Sequence, residues 1–205
     1  MTDKLVLRYS TTSPFVRKVL VMAHETGLEG RIERVLTLPW DPHTDLPKDN
    51  PLGKVPTLDT PEGWLYDSLV ICDYLDSLHK GPKMFPPSGP ERWRVLRRHA
   101  LADGTLDAAV LRLNETRRPA NEQSPGWIER QKGVVRRGLD KLEAEARGFG
   151  DKIDISLIAT AVLLGWLDFR FPSEDWRPGR PTLAAWYAKF SQRPSMLATV
   201  PHEPK

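Results

Sequence analysis

Four hydroxyl side chains, Ser10, Thr11, Thr12 and Ser13, stand in a row directly before Pro14. A serine followed by a proline is typical of a helix start, with the serine as N-cap and the proline at the first helical position. A hydroxyl placed there lies beside the positive end of a helix dipole, which favours negative charge. Chemistry alone does not select one hydroxyl from the four, and an ordinary N-cap is the simpler interpretation of Ser13.

A second segment, residues 50–58, offers backbone groups to a ligand. Pro51 and Gly53 predict a turn, and Pro56, which has no N–H, must lie at the mouth of the strand that follows it. This leaves Val55 with unpaired backbone groups. A ligand with its own peptide bonds could pair with them, especially if Pro56 is cis. The alternative is a proline-bounded loop without a ligand.

Composition excludes several other chemistries. Cys72 is the single cysteine, which rules out an intramolecular disulfide and a Cys-x-x-Cys redox pair, and its apolar surroundings are typical of a core position. The five histidines lack metal-ligand spacing, so no metal site is predicted. The net charge is +3, and acidic residues alternate with the arginine clusters at 92–98 and 130–137, which indicates solvated helix faces and no nucleic-acid partner.

The length and hydropathy of the chain favour a soluble protein. Its 205 residues suffice for two small domains, and no apolar run is long enough to span a bilayer. No signal segment precedes the first predicted strand, so we expect a cytoplasmic protein without membrane association.

The elements that would position these residues fall into two halves. In the first half the pattern predicts strands at 4–9 and 32–36, a helix from Pro14 to about Thr26, a hairpin of 57–59 with 64–66, and a helix whose N-cap is Ser68. Residues 37–49 are too rich in proline for a regular element. Residues 81–90 form a proline-rich linker.

The second half contains no convincing strand. Helical spacing predicts helices at 91–113, 125–146, 153–169 and 182–192. The third of these is apolar on all sides, so it must be the buried centre of its domain. Asp151 and Asp154 precede it as an expected capping pair.

Three features, in this order and spacing, resemble a cytosolic glutathione S-transferase of bacterial type. Ser-Pro-Phe at 13–15 is similar to the active-site start of tau-like and omega-like members, and Asn-Pro-Leu-Gly-Lys-Val-Pro at 50–56 resembles the family's segment with a cis proline. Asp67-Ser68 matches its acidic-serine pair, and residues 151–172 look like its capped core helix. The resemblance covers essentially the whole chain.

This resemblance implies an α/β plus all-α fold. Residues 1–80 would form a thioredoxin-like glutathione-binding domain, 81–90 a linker, and 91–205 an all-helical domain that completes the second-substrate site. It also implies a homodimer with glutathione as co-substrate, a role in detoxification, and no metal.

The resemblance assigns a role to each residue of the glutathione site. Val55, followed by Pro56, would pair with the cysteinyl backbone of glutathione through its N–H and C=O. Ser68 would hold the γ-glutamyl carboxylate, Asp67 the amine, and Lys54 the glycyl carboxylate.

The catalytic role implied for Ser13 is stabilisation of the glutathione thiolate, with Ser10, Thr11 and Thr12 as competitors. Arg17, one turn further along the helix, either adds positive potential or is solvated. Serine instead of cysteine at position 13 argues against mixed-disulfide chemistry.

The second substrate is the least specified part of this expectation. An apolar electrophile would meet a wall formed by five side chains: Trp40, Leu106, Val110, Asn114 and Trp166. The segment in which the family usually places a basic or polar glutathione contact carries Trp40, Asp41 and His43 here. The alternatives are a glutathione-dependent isomerase, dehalogenase or lyase, and a non-catalytic binding or regulatory module.

Overall fold

The computed structural model of the chain describes residues 4–204. Within them lie four strands, β1 (Leu5–Tyr9), β2 (Ile32–Leu36), β3 (Thr57–Thr60) and β4 (Gly63–Leu65). The α-helices are α1 (Pro14–Glu25), α2 (Leu46–Asp49), α3 (Ser68–Ser77), α4 (Gly89–Thr116), α5 (Pro125–Ala146), α6 (Ile155–Arg170), α7 (Pro181–Phe190) and α8 (Pro194–Leu197).

The four strands form one mixed sheet in the order β2-β1-β3-β4. The β1 and β2 strands are parallel, as expected for strands joined through a helix, whereas β3 pairs antiparallel with both β1 and β4. Leu5, Leu7 and Leu58 are almost completely buried in the sheet. Val16, Leu46 and Val55 form a small apolar cluster beside it.

The chain divides into two compact units. The first contains the described residues up to Phe85 together with those from Arg193 onward, and the second is Pro86–Gln192. This division differs from the predicted 1–80, 81–90 and 91–205 at the C-terminal end. A contact between distant residues explains the difference. Arg193 donates two hydrogen bonds to Glu25 of α1, at 2.7 and 2.8 Å, and so holds the C-terminal segment to the first unit.

The second unit is helical throughout its regular elements and is built around α6. Every residue of α6 from 155 to 167 is buried, as the apolar sequence predicts. Asp154 is its N-cap, with Oδ1 accepting hydrogen bonds from the N–H groups of Ser156 and Leu157 at 2.9 and 3.1 Å. The expected pairing of Asp151 with Asp154 is wrong, because Asp151 is exposed and Asp154 alone caps the helix.

Three local expectations are corrected by the structure. Asp67, not Ser68, is the N-cap of α3, since its carboxylate accepts the Leu69 N–H at 2.9 Å. The predicted irregular segment 37–49 contains the short helix α2. It is held to the sheet by Arg8, whose Nε donates to Asp49 at 2.8 Å. The last helix, α8, begins at Pro194 and was not predicted.

A candidate glutathione site at one end of the sheet

The register of the sheet brings three segments of interest to the same end. Arg8 lies opposite Thr57, and Leu58 lies opposite Leu65. The chain therefore leaves β1 toward α1, enters β3 from Pro56, and leaves β4 toward α3, all at this end. The α1 and α3 helices both begin at this end, so their N-termini make it favourable for anionic groups.

Ser13 is the N-cap of α1. Its Oγ accepts a hydrogen bond from the Val16 N–H at 3.3 Å. A hydroxyl that accepts one hydrogen bond still carries its own proton. Ser13 can therefore cap the helix and donate to a ligand at the same time, so the capping and ligand-binding interpretations are compatible.

Thr11 offers the sharpest alternative among the neighbouring hydroxyls. Its Oγ1 is buried and has no hydrogen-bond partner in the described part of the chain, whereas its backbone C=O accepts the His202 N–H at 3.3 Å. A buried hydroxyl without a partner costs free energy, so a ligand atom that paired with it would be stabilised.

A cavity of about 70 Å³ lies beside Ser13 in the first unit. It is lined by residues of the β1–α1 turn and of the C-terminal segment, including Thr11, Ser13, Thr199 and His202. Sequence reasoning missed the C-terminal contribution entirely. The sequence analysis predicted no element after residue 192, and no local pattern there pointed to the first unit.

Arg17 fixes this C-terminal segment. The solvated alternative for Arg17 is wrong, because the residue is only 7% exposed. Its Nη2 donates to the Met196 carbonyl at 3.1 Å and its Nε to Thr199 Oγ1 at 3.5 Å. Arg17 therefore anchors one wall of the cavity beside Ser13.

The Val55–Pro56 bond is cis, which confirms the sequence expectation for this proline. The Val55 side chain is buried, while neither its N–H nor its C=O has a hydrogen-bond partner among residues 4–204. These are the free backbone groups that the sequence predicts. They suit a ligand with an extended, peptide-like backbone.

Asn50 holds the turn that presents Val55. It is 1% exposed, and its Nδ2 donates to the Lys54 carbonyl at 2.9 Å and to Thr57 Oγ1 at 3.1 Å. Its Oδ1 accepts the Leu52 N–H at 3.0 Å. The sequence analysis noted the Asn-Pro pair but gave Asn50 no role. Because the buried Asn50 amide both donates and accepts hydrogen bonds across the turn, it holds residues 50–57 in place, and we call it the Asn50 clamp. Lys54 itself is exposed.

Asp67 and Ser68 lie where β4 passes into α3. Ser68 is 2% exposed, and its hydroxyl and N–H make no hydrogen bond within the described residues. Asp67 caps the helix through one oxygen and is otherwise exposed. The pair thus combines a free hydroxyl and N–H at a helix N-terminus with an adjacent carboxylate, as a zwitterionic amino-acid end would require.

The five residues expected at the second-substrate wall occupy different environments. Trp40 belongs to the first unit and is 85% exposed. The other four belong to the second unit, where Leu106 and Trp166 are 2% and 3% exposed and Val110 and Asn114 are half-buried on α4. Each residue is described within its own unit, and their joint role stays a prediction.

Comparison with known proteins gives the family. Residues 12–78 match the model of the glutathione S-transferase N-terminal domain, and residues 125–189 match that of the C-terminal domain. A relative in Escherichia coli K12, the uncharacterized GST-like protein YibF, is 36% identical over 97% of this chain and 98% of its own length.

Two solved structures resemble the whole chain and contain glutathione. A glutathione transferase family member from Pseudomonas fluorescens Pf-5 with bound glutathione is 45% identical, with a TM-score of 0.92 over 98% of this chain and 100% of that one. A glutathione S-transferase from Methylobacillus flagellatus KT with bound glutathione is 37% identical, with a TM-score of 0.91 over 97% of this chain and 100% of that one.

The fold class follows from these observations. The protein has a thioredoxin-like domain with a four-stranded mixed sheet and a helical C-terminal domain. The chain belongs to the glutathione S-transferase family.

Proposed function

We propose that this protein is a glutathione transferase, which binds glutathione at the end of the sheet and activates its thiol for attack on an apolar electrophile. The observation that carries this proposal is the convergence of three groups at one sheet end: a hydroxyl at the start of α1, the unpaired peptide groups of Val55, and the free hydroxyl of Ser68. The glutathione bound in the two solved relatives supports it.

Glutathione is held by its backbone and its two ends. Val55 pairs with the cysteinyl backbone through its N–H and C=O, next to the cis Pro56. Ser68 and the N-terminus of α3 bind the γ-glutamyl carboxylate, and Asp67 binds the amine. The exposed Lys54 meets the glycyl carboxylate.

Ser13 supplies the chemistry. Its hydroxyl donates to the glutathione sulfur and stabilises the thiolate after the thiol has lost its proton to solvent, with the N-terminus of α1 adding a favourable dipole. The thiolate forms a bond to an electrophilic carbon, and the leaving group, where there is one, departs with the electron pair. The electrophile meets Trp40, Leu106, Val110, Asn114 and Trp166. Homodimer formation, a cytoplasmic location and a role in detoxification belong to the same proposal.

The test is a screen of electrophiles with glutathione, using the wild-type protein and the Ser13→Ala and Thr11→Ala variants. Near neutral pH, Ser13→Ala should cut kcat by roughly ten- to a thousandfold while leaving the KM for glutathione nearly unchanged, because other residues hold the tripeptide. Its rate should recover as the pH rises toward the thiol pKa of about 8.5, where ionisation needs no help.

Other outcomes would reassign the role. If Thr11→Ala loses activity and Ser13→Ala keeps the wild-type rate and pH profile, the thiolate donor is Thr11. Ser10→Ala and Thr12→Ala complete the set of four hydroxyls. Isomer, halide or elimination products would indicate an isomerase, dehalogenase or lyase. A protein that consumes no electrophile would be a binding module.

A further inference from the structure

The C-terminal segment, residues 193–202, is attached along α1 by successive contacts within the first unit. It starts at Glu25, the last residue of α1, whose carboxylate accepts hydrogen bonds from Arg193 at 2.7 and 2.8 Å and from the Ser195 hydroxyl at 2.5 Å. The segment therefore begins its course at the C-terminal end of this helix.

Arg17 provides the next contact, about two helical turns nearer the start of α1. Its Nη2 donates to the Met196 carbonyl at 3.1 Å, and its Nε donates to Thr199 Oγ1 at 3.5 Å. Met196 lies in α8, a single turn whose last carbonyl groups have no partner inside the helix. Because Arg17 and Met196 are both buried, this hydrogen bond satisfies a carbonyl that would be costly to leave unpaired.

The segment then reaches the turn that carries the hydroxyl residues. The His202 N–H donates to the Thr11 carbonyl at 3.3 Å, and Thr11 and Thr12 form the turn between β1 and α1. Thr199 and His202 line the cavity beside Ser13. The segment thus runs antiparallel to α1, from its last residue to the turn before its first.

Ser13 is held between this turn and the helix. On the helix side its carbonyl accepts the Arg17 N–H at 3.0 Å and its Oγ accepts the Val16 N–H at 3.3 Å. On the other side Thr11, two residues back, is held by the His202 N–H. A displacement of about 1 Å in a reacting group can cost about a hundredfold in rate, so a donor at this point needs a fixed turn.

We propose that the C-terminal segment positions the Ser13 hydroxyl on the glutathione thiolate, with Arg17 and His202 as the positioning residues that hold the segment to α1 and to the turn. This inference rests on the function proposed for Ser13. Arg17 acts through Met196 and Thr199, and its charge is not the source of the effect.

The test is the pKa of the thiol of bound glutathione, measured by ultraviolet absorbance in Arg17→Ala and His202→Pro. His202→Pro lacks the N–H that holds Thr11 and retains the Arg17 charge. It is compared with His202→Ala, which also lacks the imidazole but keeps the N–H. Arg17→Ala relative to wild type, and His202→Pro relative to His202→Ala, should each raise the thiol pKa by about half to one unit, because a misaligned donor keeps part of its effect.

Two further measurements separate positioning from a loss of binding or of stability. Calorimetry should show that the affinity for glutathione changes by less than about twofold, because other residues hold the tripeptide. Leu197→Ala is the matched control and should keep the wild-type thiol pKa, since Leu197 lies in the same segment but is exposed and does not line the cavity. If Arg17→Ala does not fold, the comparison of the two His202 variants decides.

A double variant separates position from charge. Arg17→Ala added to Ser13→Ala should leave the thiol pKa where Ser13→Ala alone puts it, because the segment acts through that hydroxyl. A further rise would make Arg17 a source of charge and overturn the inference. So would a wild-type thiol pKa in Arg17→Ala together with equal values in the two His202 variants. These results differ from a failure of the proposed function, in which the wild-type protein leaves the bound thiol at the pKa of free glutathione and both proposals fall.

Discussion

At the scale of single residues, Ser68 combines deep burial with hydrogen-bonding groups that nothing in the described chain uses. The residue is 2% exposed, and its hydroxyl and N–H stand at the N-terminus of α3. Because Asp67 takes over the capping role, Ser68 is free for a ligand. The sequence pattern marked this pair as a helix start but took Ser68 instead of Asp67 as the N-cap, since both residue types are good N-caps.

Replacing Ser68 with alanine should weaken glutathione about tenfold or more, because a hydrogen bond to a charged group is worth roughly 1.5 to 3 kcal/mol. Titration calorimetry measures the change. Ser77→Ala, at the other end of the same helix, is the matched control, since its hydroxyl donates to the Tyr74 carbonyl and has no other partner among residues 4–204. Wild-type affinity in a folded Ser68→Ala protein would place the γ-glutamyl group elsewhere.

The pKa of Glu25 gives a second prediction at this scale. Burial pushes this pKa upward, but hydrogen bonds from Arg193 and Ser195 outweigh burial and hold it below the usual value. A carboxyl whose pKa is depressed by folding contributes stability above its unfolded pKa, about 4.3, and loses that contribution as the pH falls through the folded value.

Glu25→Gln should therefore lower the free energy of unfolding by about 1.5 to 3 kcal/mol at neutral pH, which is the range for a hydrogen bond to a charged group. The difference in the free energy of unfolding between variant and wild type should become smaller as the pH falls below about 4. Urea unfolding across this pH range measures it, with the exposed Glu29→Gln as control. If this difference in the free energy of unfolding stays constant with pH, the ionised carboxylate of Glu25 is not the form that stabilises the contact.

At the scale of elements, helix starts were the most predictable features and short helices the least. The Ser-Pro pair at 13–14 places the start of α1 correctly, and the Asp-Ser pair at 67–68 places the start of α3 to within one residue, because capping chemistry is local in sequence. The α2 and α8 helices have only four residues each and depend on tertiary contacts such as Arg8 with Asp49 and Arg17 with Met196. No local pattern encodes contacts between such distant residues.

The cap of α6 can be tested directly. Asp154→Ala should reduce the free energy of unfolding by about 0.5 to 2 kcal/mol, the usual cost of losing an N-cap side chain, and the upper part of that range applies because Asp154 is 7% exposed. Thermal or urea unfolding measures the change. Asp151→Ala should be close to neutral, because this exposed carboxylate does not cap the helix. An equal loss of unfolding free energy in both variants would mean that Asp151 and Asp154 cap the helix together, as the sequence predicts.

At the scale of the whole molecule, the order of the elements and the two-part organisation could be predicted from the sequence. The position of the C-terminal segment could not. Proline-rich linkers and runs of helical spacing are visible along the chain, whereas the return of residues 193–204 to the first unit is encoded by a buried arginine and a carboxylate on α1. In the sequence Arg17 looks like an ordinary helix-surface charge.

In the candidate site, too, local signals could be read from the sequence and contacts across the fold could not. The sequence predicts Ser13, Val55, Pro56, Asp67 and Ser68 from local signals, and the sheet register brings their segments to one end of the sheet. Their roles in binding glutathione stay predictions. The Asn50 clamp and the wall formed by Thr199 and His202 were missed, since their roles depend on contacts across the fold.

The central claim is that the protein stabilises the thiolate of bound glutathione, and the pKa of that thiol tests it most directly. Ultraviolet absorbance of the thiolate, followed against pH with saturating protein, gives this pKa for the wild type and for Ser13→Ala. The Ser13 hydrogen bond should lower it by about one to two units from the free-thiol value of about 8.5. Ser13→Ala should lose that part of the shift and retain glutathione binding. A bound thiol with the pKa of free glutathione, or a wild-type pKa unchanged in Ser13→Ala, would contradict the account.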